Sequence, residues 1–231
     1  MNFEKMNVVN IELFGIPGSG KSYFTKRLVG RNKKLKNYIL WERSSIIGRI
    51  VKKIAMVTIS FFFSSKIKRM SDKYIETSSI KALYTAHKDI QEYFERIIYL
   101  KFIYRLAAIF KISIVTDEGI LHTIATMVVD FDVTLKNRNQ IYKLISNTDL
   151  CIYNHVSVAK AIDSIRVRDR HVTKIDDLSP EKLNQFLMGY SKACDSLYAG
   201  PQANQLVSID RDNPIEKNIK YIEDMLMEVK G

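Results

Sequence analysis

Gly15-Ile16-Pro17-Gly18-Ser19-Gly20-Lys21-Ser22 is the stretch on which the fold turns. It fits the phosphate-loop pattern of a glycine, four residues, then Gly-Lys-Ser or Gly-Lys-Thr. Glycines let successive backbone N–H groups turn inward around phosphate oxygens, and the positive end of the following helix adds to that attraction. The predicted phosphate-side residues are therefore Gly15, Pro17, Gly18, Ser19, Gly20, Lys21, Ser22 and Tyr23. In this pattern Lys21 reaches the β- and γ-phosphates of a bound nucleotide, and the Ser22 hydroxyl is a ligand of Mg²⁺.

The loop needs a strand before it and a helix after it. Val8 to Phe14 reads as a short buried strand, and Tyr23 to Val29 as a helix ending near Gly30. Further on, Asn37 to Glu42 reads as a second strand. Residues 44–110 lack proline and β-type alternation and read as helices, most clearly Ile80 to Phe110, with apolar residues at three- and four-residue steps. A third strand, Ile112 to Thr116, delivers Asp117-Glu118-Gly119. Helices follow from Ile120 to about Met127 and from Asn139 to Ile145. The fourth strand is Asp149 to Tyr153, and Ser157 caps a helix reaching Val167. Arg166-Val167-Arg168-Asp169-Arg170-His171 makes a basic turn. Ser179-Pro180 opens a helix to Tyr198; Gln205 to Ile209 is a fifth strand, and Asn213-Pro214 starts a last helix to about Val229. Alternating strands and helices predict an α/β fold of three layers: a five-stranded parallel sheet with helices on both faces. Residues 1–231 form one domain with a helical insertion at 44–110 and a lid at 166–180.

Composition agrees with one domain. The 231 residues are 46% hydrophobic, a fraction that excludes disorder, and only Cys151 and Cys194 are present, too few for a disulfide scaffold. The N-terminal MNFEKMNVVN has no export pattern, so a cytoplasmic protein is expected. The most apolar run, Ile54 to Phe63, is far short of the roughly 20 residues that span a bilayer. Charge is uneven. The chain carries 36 Lys plus Arg against 25 Asp plus Glu; from Lys21 to Lys111 the balance is 21 basic to 6 acidic, leaving the remainder slightly acidic. Such a field favours phosphorylated ligands, nucleic acid or an anionic membrane.

Together these segments resemble the P-loop kinase group, in particular thymidylate kinases and their deoxynucleoside kinase relatives. GIPGSGKS, the acidic strand end IVTDEG, the run TDLCIYNHVSVAKAIDSIRVRDRH and LVSID carry the resemblance. It implies ATP and Mg²⁺ as cofactors, a small-molecule phosphoryl acceptor, and a homodimer, a state such kinases often adopt. It places Asp117 where the family organises Mg²⁺ or contacts the acceptor, and Glu118 beside it as a second metal-side carboxylate. Thymidylate kinases usually carry Asp-Arg here, so Glu118 is a departure that bears on the acceptor. Glu42 matches the Glu that serves as base towards the acceptor hydroxyl in deoxynucleoside kinases, although Arg43 replaces the usual proline. Arg166, Arg168 and Arg170 match the arginine-rich lid that clamps ATP phosphates, with Arg168 on the cofactor and Arg166 and Arg170 at the reacting phosphoryl group.

The leading expectation is a kinase transferring the γ-phosphoryl group of ATP to a nucleoside monophosphate or nucleotide-like acceptor, with Lys21, Asp117, Glu42, Arg166 and Arg170 as its catalytic residues. Asp117-Glu118 also resembles the paired acids of P-loop ATPases, which gives an acceptor-free ATPase or switch as the alternative. The basic aromatic segment 49–69 raises a third class, contact with an anionic membrane surface. No specific nucleic-acid partner is expected, and no Asn-Lys-x-Asp guanine motif is present.

Overall fold

In the computed structural model, the described residues are 8–76, 80–131, 134–135, 145, 148–168, 175–199 and 206–228. Strand β1 (Asn10–Phe14) is buried at every position, as a strand covered on both faces must be. It stands at the centre of a five-stranded sheet. The other members are β2 (Leu35–Asn37), β4 (Ser113–Thr116), β6 (Leu150–His155) and β7 (Leu206–Asp210), in the order β2-β4-β1-β6-β7, and every pairing is parallel. Ile11 faces Val115 on one side and Leu150 on the other. The carboxyl ends of all five strands therefore meet along one rim, where open α/β sheets bind ligands.

Alternation along β1 divides the core into two layers. Ile11 and Leu13 face helices α1 (Lys21–Arg31) and α8 (Ile215–Glu228), packing with Phe24, Leu28, Ile219 and Ile222. Phe14 faces the opposite way, towards α4 (Ile80–Ile109), α5 (Ile120–Phe131) and α7 (Pro180–Tyr198). The predicted three layers are thus present. Ser157 caps α6 (Val158–Val167) and Ser179 caps α7, each side chain accepting a bond from the backbone N–H three residues on.

Two sequence expectations are corrected. The second strand is shorter and earlier than Asn37 to Glu42: β2 stops at Asn37, whose side chain accepts from Leu40 N and caps helix α2 (Tyr38–Ser44). A short apolar run such as Tyr38-Ile39-Leu40-Trp41 suits either state, and the cap decides between them. Helix α1 ends at Arg31, beside Gly30 as expected, with Asn32 as its C-cap. The helical region is interrupted: α3 (Ile46–Tyr74) runs into a two-residue strand, β3 (Ile75–Glu76), which pairs antiparallel with β5 (Thr134–Leu135). Of the predicted helix from Asn139 to Ile145, only Ile145 lies within the described residues.

Candidate active site

Between β1 and α1 the glycine loop adopts backbone angles that only glycine takes readily: φ is +144° at Gly15, +84° at Gly18 and +91° at Gly20. Gly18 is also pressed against α6, so that an added Cβ would lie 2.6 Å from the carbonyl oxygen of Ala161. Asn154, at the end of β6, is buried and donates from its side-chain amide to Ser19 O at 3.0 Å, tying the loop to the strand rim. Lys21 folds back over the loop, donating to Gly15 O at 2.7 Å and Ile16 O at 3.0 Å. Burial pushes the Lys21 ammonium down to about 8, against the opposing pull of Asp117 and Glu118.

The Ser22 hydroxyl lies 2.6 Å from Oδ2 of Asp117, to which it donates. Asp117 is 8% exposed, and its Oδ1 has no hydrogen-bond partner. A buried carboxylate oxygen left without a partner is costly unless something cationic meets it. Ser22 and Asp117 thus form a pair of hard oxygen donors at the mouth of the loop, the donor type that suits Mg²⁺. Among the described residues no cluster of three or more His, Cys, Asp or Glu is arranged to hold a metal ion. A cation here would complete its shell with phosphate oxygens and water.

Glu118 turns away from that pair. Its two oxygens receive the Arg43 guanidinium at 2.9 and 3.0 Å, and Oε2 also receives Arg96 at 3.0 Å. Burial alone would raise the Glu118 carboxyl, but Arg43 and Arg96 outweigh it and hold the group below the ordinary carboxylate range. Glu118 stands ion-paired in a neighbouring cavity.

That cavity, of about 410 Å³, opens beside the strand rim between α2, α3, α4 and α5. Glu42 lines it from α2 rather than from a strand end, and is 5% exposed. Lys52 of α3 donates to Oε1 of Glu42 at 2.6 Å and the Tyr99 hydroxyl donates to Oε2 at 3.1 Å; Tyr38 is in turn hydrogen-bonded to Tyr99. His122 lines the far wall. Burial, with the nearby Lys21 charge, lowers it to about 3, so its imidazole is neutral at physiological pH.

Glu42, Glu92 and Glu118 line the cavity against Lys52 and Arg96, while Arg49, Lys53, Arg69 and Lys111 stand on exposed outer faces.

Of the lid arginines, Arg166 is exposed in the last turn of α6. Arg168 forms the C-cap, and its charge reaches Lys21, helping to lower the ammonium's affinity for its proton. The helix ends at Val167, as alternating arginines require. Arg170 lies outside the described residues.

Two residues that sequence reading passed over complete the rim. Arg211, following β7, reaches across the loop and donates from Nη1 to Gly18 O at 2.8 Å and Ser164 Oγ at 2.6 Å. With Tyr23, Asn154 and Asn213 it borders a smaller cavity of about 210 Å³. Glu12, fully buried on β1, accepts from Ile120 N and Leu121 N at 2.9 Å each and from the Tyr104 hydroxyl at 3.2 Å. It serves α5 as a remote N-cap, and burial raises its carboxyl despite those bonds. The signal in the sequence was an acidic residue inside an otherwise apolar strand.

No protein-family model matches the sequence, and no curated protein matches it. Solved structures do. The chain resembles deoxyadenosine kinase from M. mycoides with bound dATP at a TM-score of 0.51 and 16% identity, over 94% of this chain and 98% of that one. Two further structures of that enzyme cover 94% and 95% of the chain, with 98% and 99% of their own length. The one with bound dCTP has 18% identity and a TM-score of 0.47; the one with the products dCMP and a flexible dCDP has 16% and 0.46. The parallel sheet, the glycine loop at its rim and the match over nearly the whole length together give this chain a P-loop nucleoside kinase-like fold.

Proposed function

We propose that the protein is an ATP- and Mg²⁺-dependent kinase whose acceptor is an uncharged nucleoside-type hydroxyl compound. The observation that carries the reading is Asp117: one carboxylate oxygen on Ser22 of the phosphate loop, the other without a partner, at the rim beside a cavity that contains Glu42. Nucleotide phosphates and acceptor would then meet along one strand rim, and positioning with charge stabilisation is most of what phosphoryl transfer needs.

In this reading the loop amides and Lys21 hold the triphosphate, and Ser22 and Asp117 hold Mg²⁺. Bound there, the ion would supply neutralisation of the charge on the β- and γ-phosphate oxygens. Lys52 and Tyr99 fix the orientation of Glu42, which takes the proton of the acceptor hydroxyl as the acceptor oxygen bonds to the γ-phosphorus and the bond to ADP breaks. Arg166, Arg168 and Arg170 are assigned to the phosphates, and Arg211 steadies the loop through Gly18 O while bonded to Ser164 of α6. Glu42 is already paired with Lys52, and Glu118 with Arg43 and Arg96, so among the described lining residues the cations are engaged by carboxylates, which disfavours a monophosphate and favours a neutral acceptor. An acceptor-free ATPase is less well supported, since Glu118 is ion-paired to Arg43 and Arg96 rather than poised to align water.

A coupled ADP-release assay over a panel of nucleosides and nucleoside monophosphates tests this. Turnover dependent on a nucleoside is expected. Acceptor-independent turnover would replace the kinase reading with the ATPase one, and turnover confined to monophosphates would overturn the acceptor class.

A further inference from the structure

Helix α3 carries two unlike faces. The inner one lies tight on α2: an added Cβ at Gly48 would stand 2.9 Å from the Glu42 Cα and the Trp41 carbonyl oxygen, and Ile59 is buried. On the outer face, Ile46, Ile50, Ile54, Val57 and Phe61 follow at steps of four, four, three and four residues, and all are exposed, from 52% at Ile50 to 79% at Phe61. At 100° per residue those steps fall within an arc of about 80° and run for about 22 Å. This is a continuous apolar stripe in water, larger than scattered surface residues account for. It adjoins exposed Leu40 and Trp41 of α2 and an apolar groove of about 880 Å³ beside the edge strand β2, with Lys33 and Lys36 among its lining.

The flanks of the stripe are basic. Arg49 and Lys53 lie along one side, Arg69 lies beyond its C-terminal end, and all three are exposed. In sequence, α3 holds seven Lys or Arg against a single Asp. Among the described residues no helix is long and apolar enough to cross a membrane, so the stripe is suited to lying on a bilayer rather than spanning it. A second copy of the chain fits less well: a two-fold interface would set basic flanks against basic flanks, whereas anionic headgroups neutralise them.

We propose that the outer face of α3 docks on the surface of an anionic lipid bilayer, with Ile46 to Phe61 at the acyl boundary and Arg49, Lys53 and Arg69 among the headgroups. The test is co-sedimentation of the full chain with phosphatidylcholine vesicles, with and without phosphatidylserine, at low and high salt. Binding only to the phosphatidylserine vesicles, weakened by salt, is expected. Phe61→Ser should reduce it about tenfold, and Arg49→Glu with Lys53→Glu at least as much, at one kcal/mol or so per basic residue near the surface. These side chains are exposed, so circular dichroism and melting should match the parent protein. No binding at low salt, equal binding to both vesicle types, or variants that bind like the parent would each overturn the proposal. So would a dimer in sedimentation velocity that Phe61→Ser disperses while vesicles stay unbound, which would give the face to a second copy.

Discussion

The hydroxyl of Ser22 and the carboxylate of Asp117 are joined by a 2.6 Å hydrogen bond across 95 positions of sequence, from the first turn of α1 to the end of β4. The bond brings the glycine loop and the third strand in chain order among the sheet members to a single point. It also leaves Asp117 with one oxygen engaged and one without a partner. Asp117→Asn keeps the shape and removes the charge. Turnover in the ADP-release assay should fall by about 10²-fold or more, with the melting temperature little changed. Near-normal turnover would take Asp117 out of the metal site.

Lys21 yields a prediction with a sign. In the ligand-free fold burial holds the ammonium to about 8 rather than 10.5, so its desolvation disfavours the folded state at neutral pH, and that penalty fades between about pH 8 and 10.5. A bound triphosphate supplies the missing counter-charge and raises the pKa again. Nucleotide affinity should therefore be complete below pH 8 and weaken as pH rises through it, with proton uptake on binding near pH 8.5. Calorimetry in buffers of different ionisation heat reads that uptake directly. Lys21→Ala should abolish both the uptake and phosphoryl transfer while the protein stays folded.

Glu42 is 5% exposed and held by Lys52 and Tyr99. Glu42→Gln preserves the side-chain volume and removes the base. A loss of about 10²- to 10⁴-fold in kcat is expected, with nucleotide binding unchanged, as for removal of a general base. An unaltered kcat would leave Glu42 as a structural partner of Lys52 alone.

Gly119 is predicted to be intolerant of any side chain. A Cβ there would stand 2.5 Å from the Glu12 Cβ and from its carboxylate Oε2, and Glu12 cannot withdraw without releasing Ile120 N and Leu121 N. Gly119→Ala should cost about 1–3 kcal/mol, as overpacking a filled interior does. Urea unfolding with an unchanged m-value would measure it. A stability loss near zero would show that Glu12 has room to move.

The glycine loop, the acidic strand end and the alternation of strands with helices were legible because each depends on local chemistry: backbone angles for Gly15 and Gly18, a short buried run leading into the glycine loop for β1, serine caps at Ser157 and Ser179. The parts that were not legible depend on long-range contact. Tyr38 to Glu42 is apolar enough for a strand; as a helix it packs against Gly48 of α3 and meets Tyr99 of α4 through Glu42, contacts that no local pattern announces. Glu12 gains its role from amides 108 and 109 residues away, and Arg211 from a carbonyl 193 residues away. A linear sum of charge does not say which face of a helix a lysine occupies: Lys52 turns inward to Glu42, whereas Lys53 beside it is exposed. Glu118 was read with its neighbour Asp117, yet successive residues at a strand end point to opposite sides, one towards the loop and one towards Arg43 and Arg96.

Wedged between two guanidinium groups, Glu118 sets the local electroneutrality of the rim. Neutralising that one side chain would release both positive forks together, in the same neighbourhood and without moving the backbone. If the acceptor is uncharged, as proposed, a single residue would then separate a pocket for a neutral guest from one hospitable to an anion, a short path by which such a scaffold could exchange one kind of guest for another.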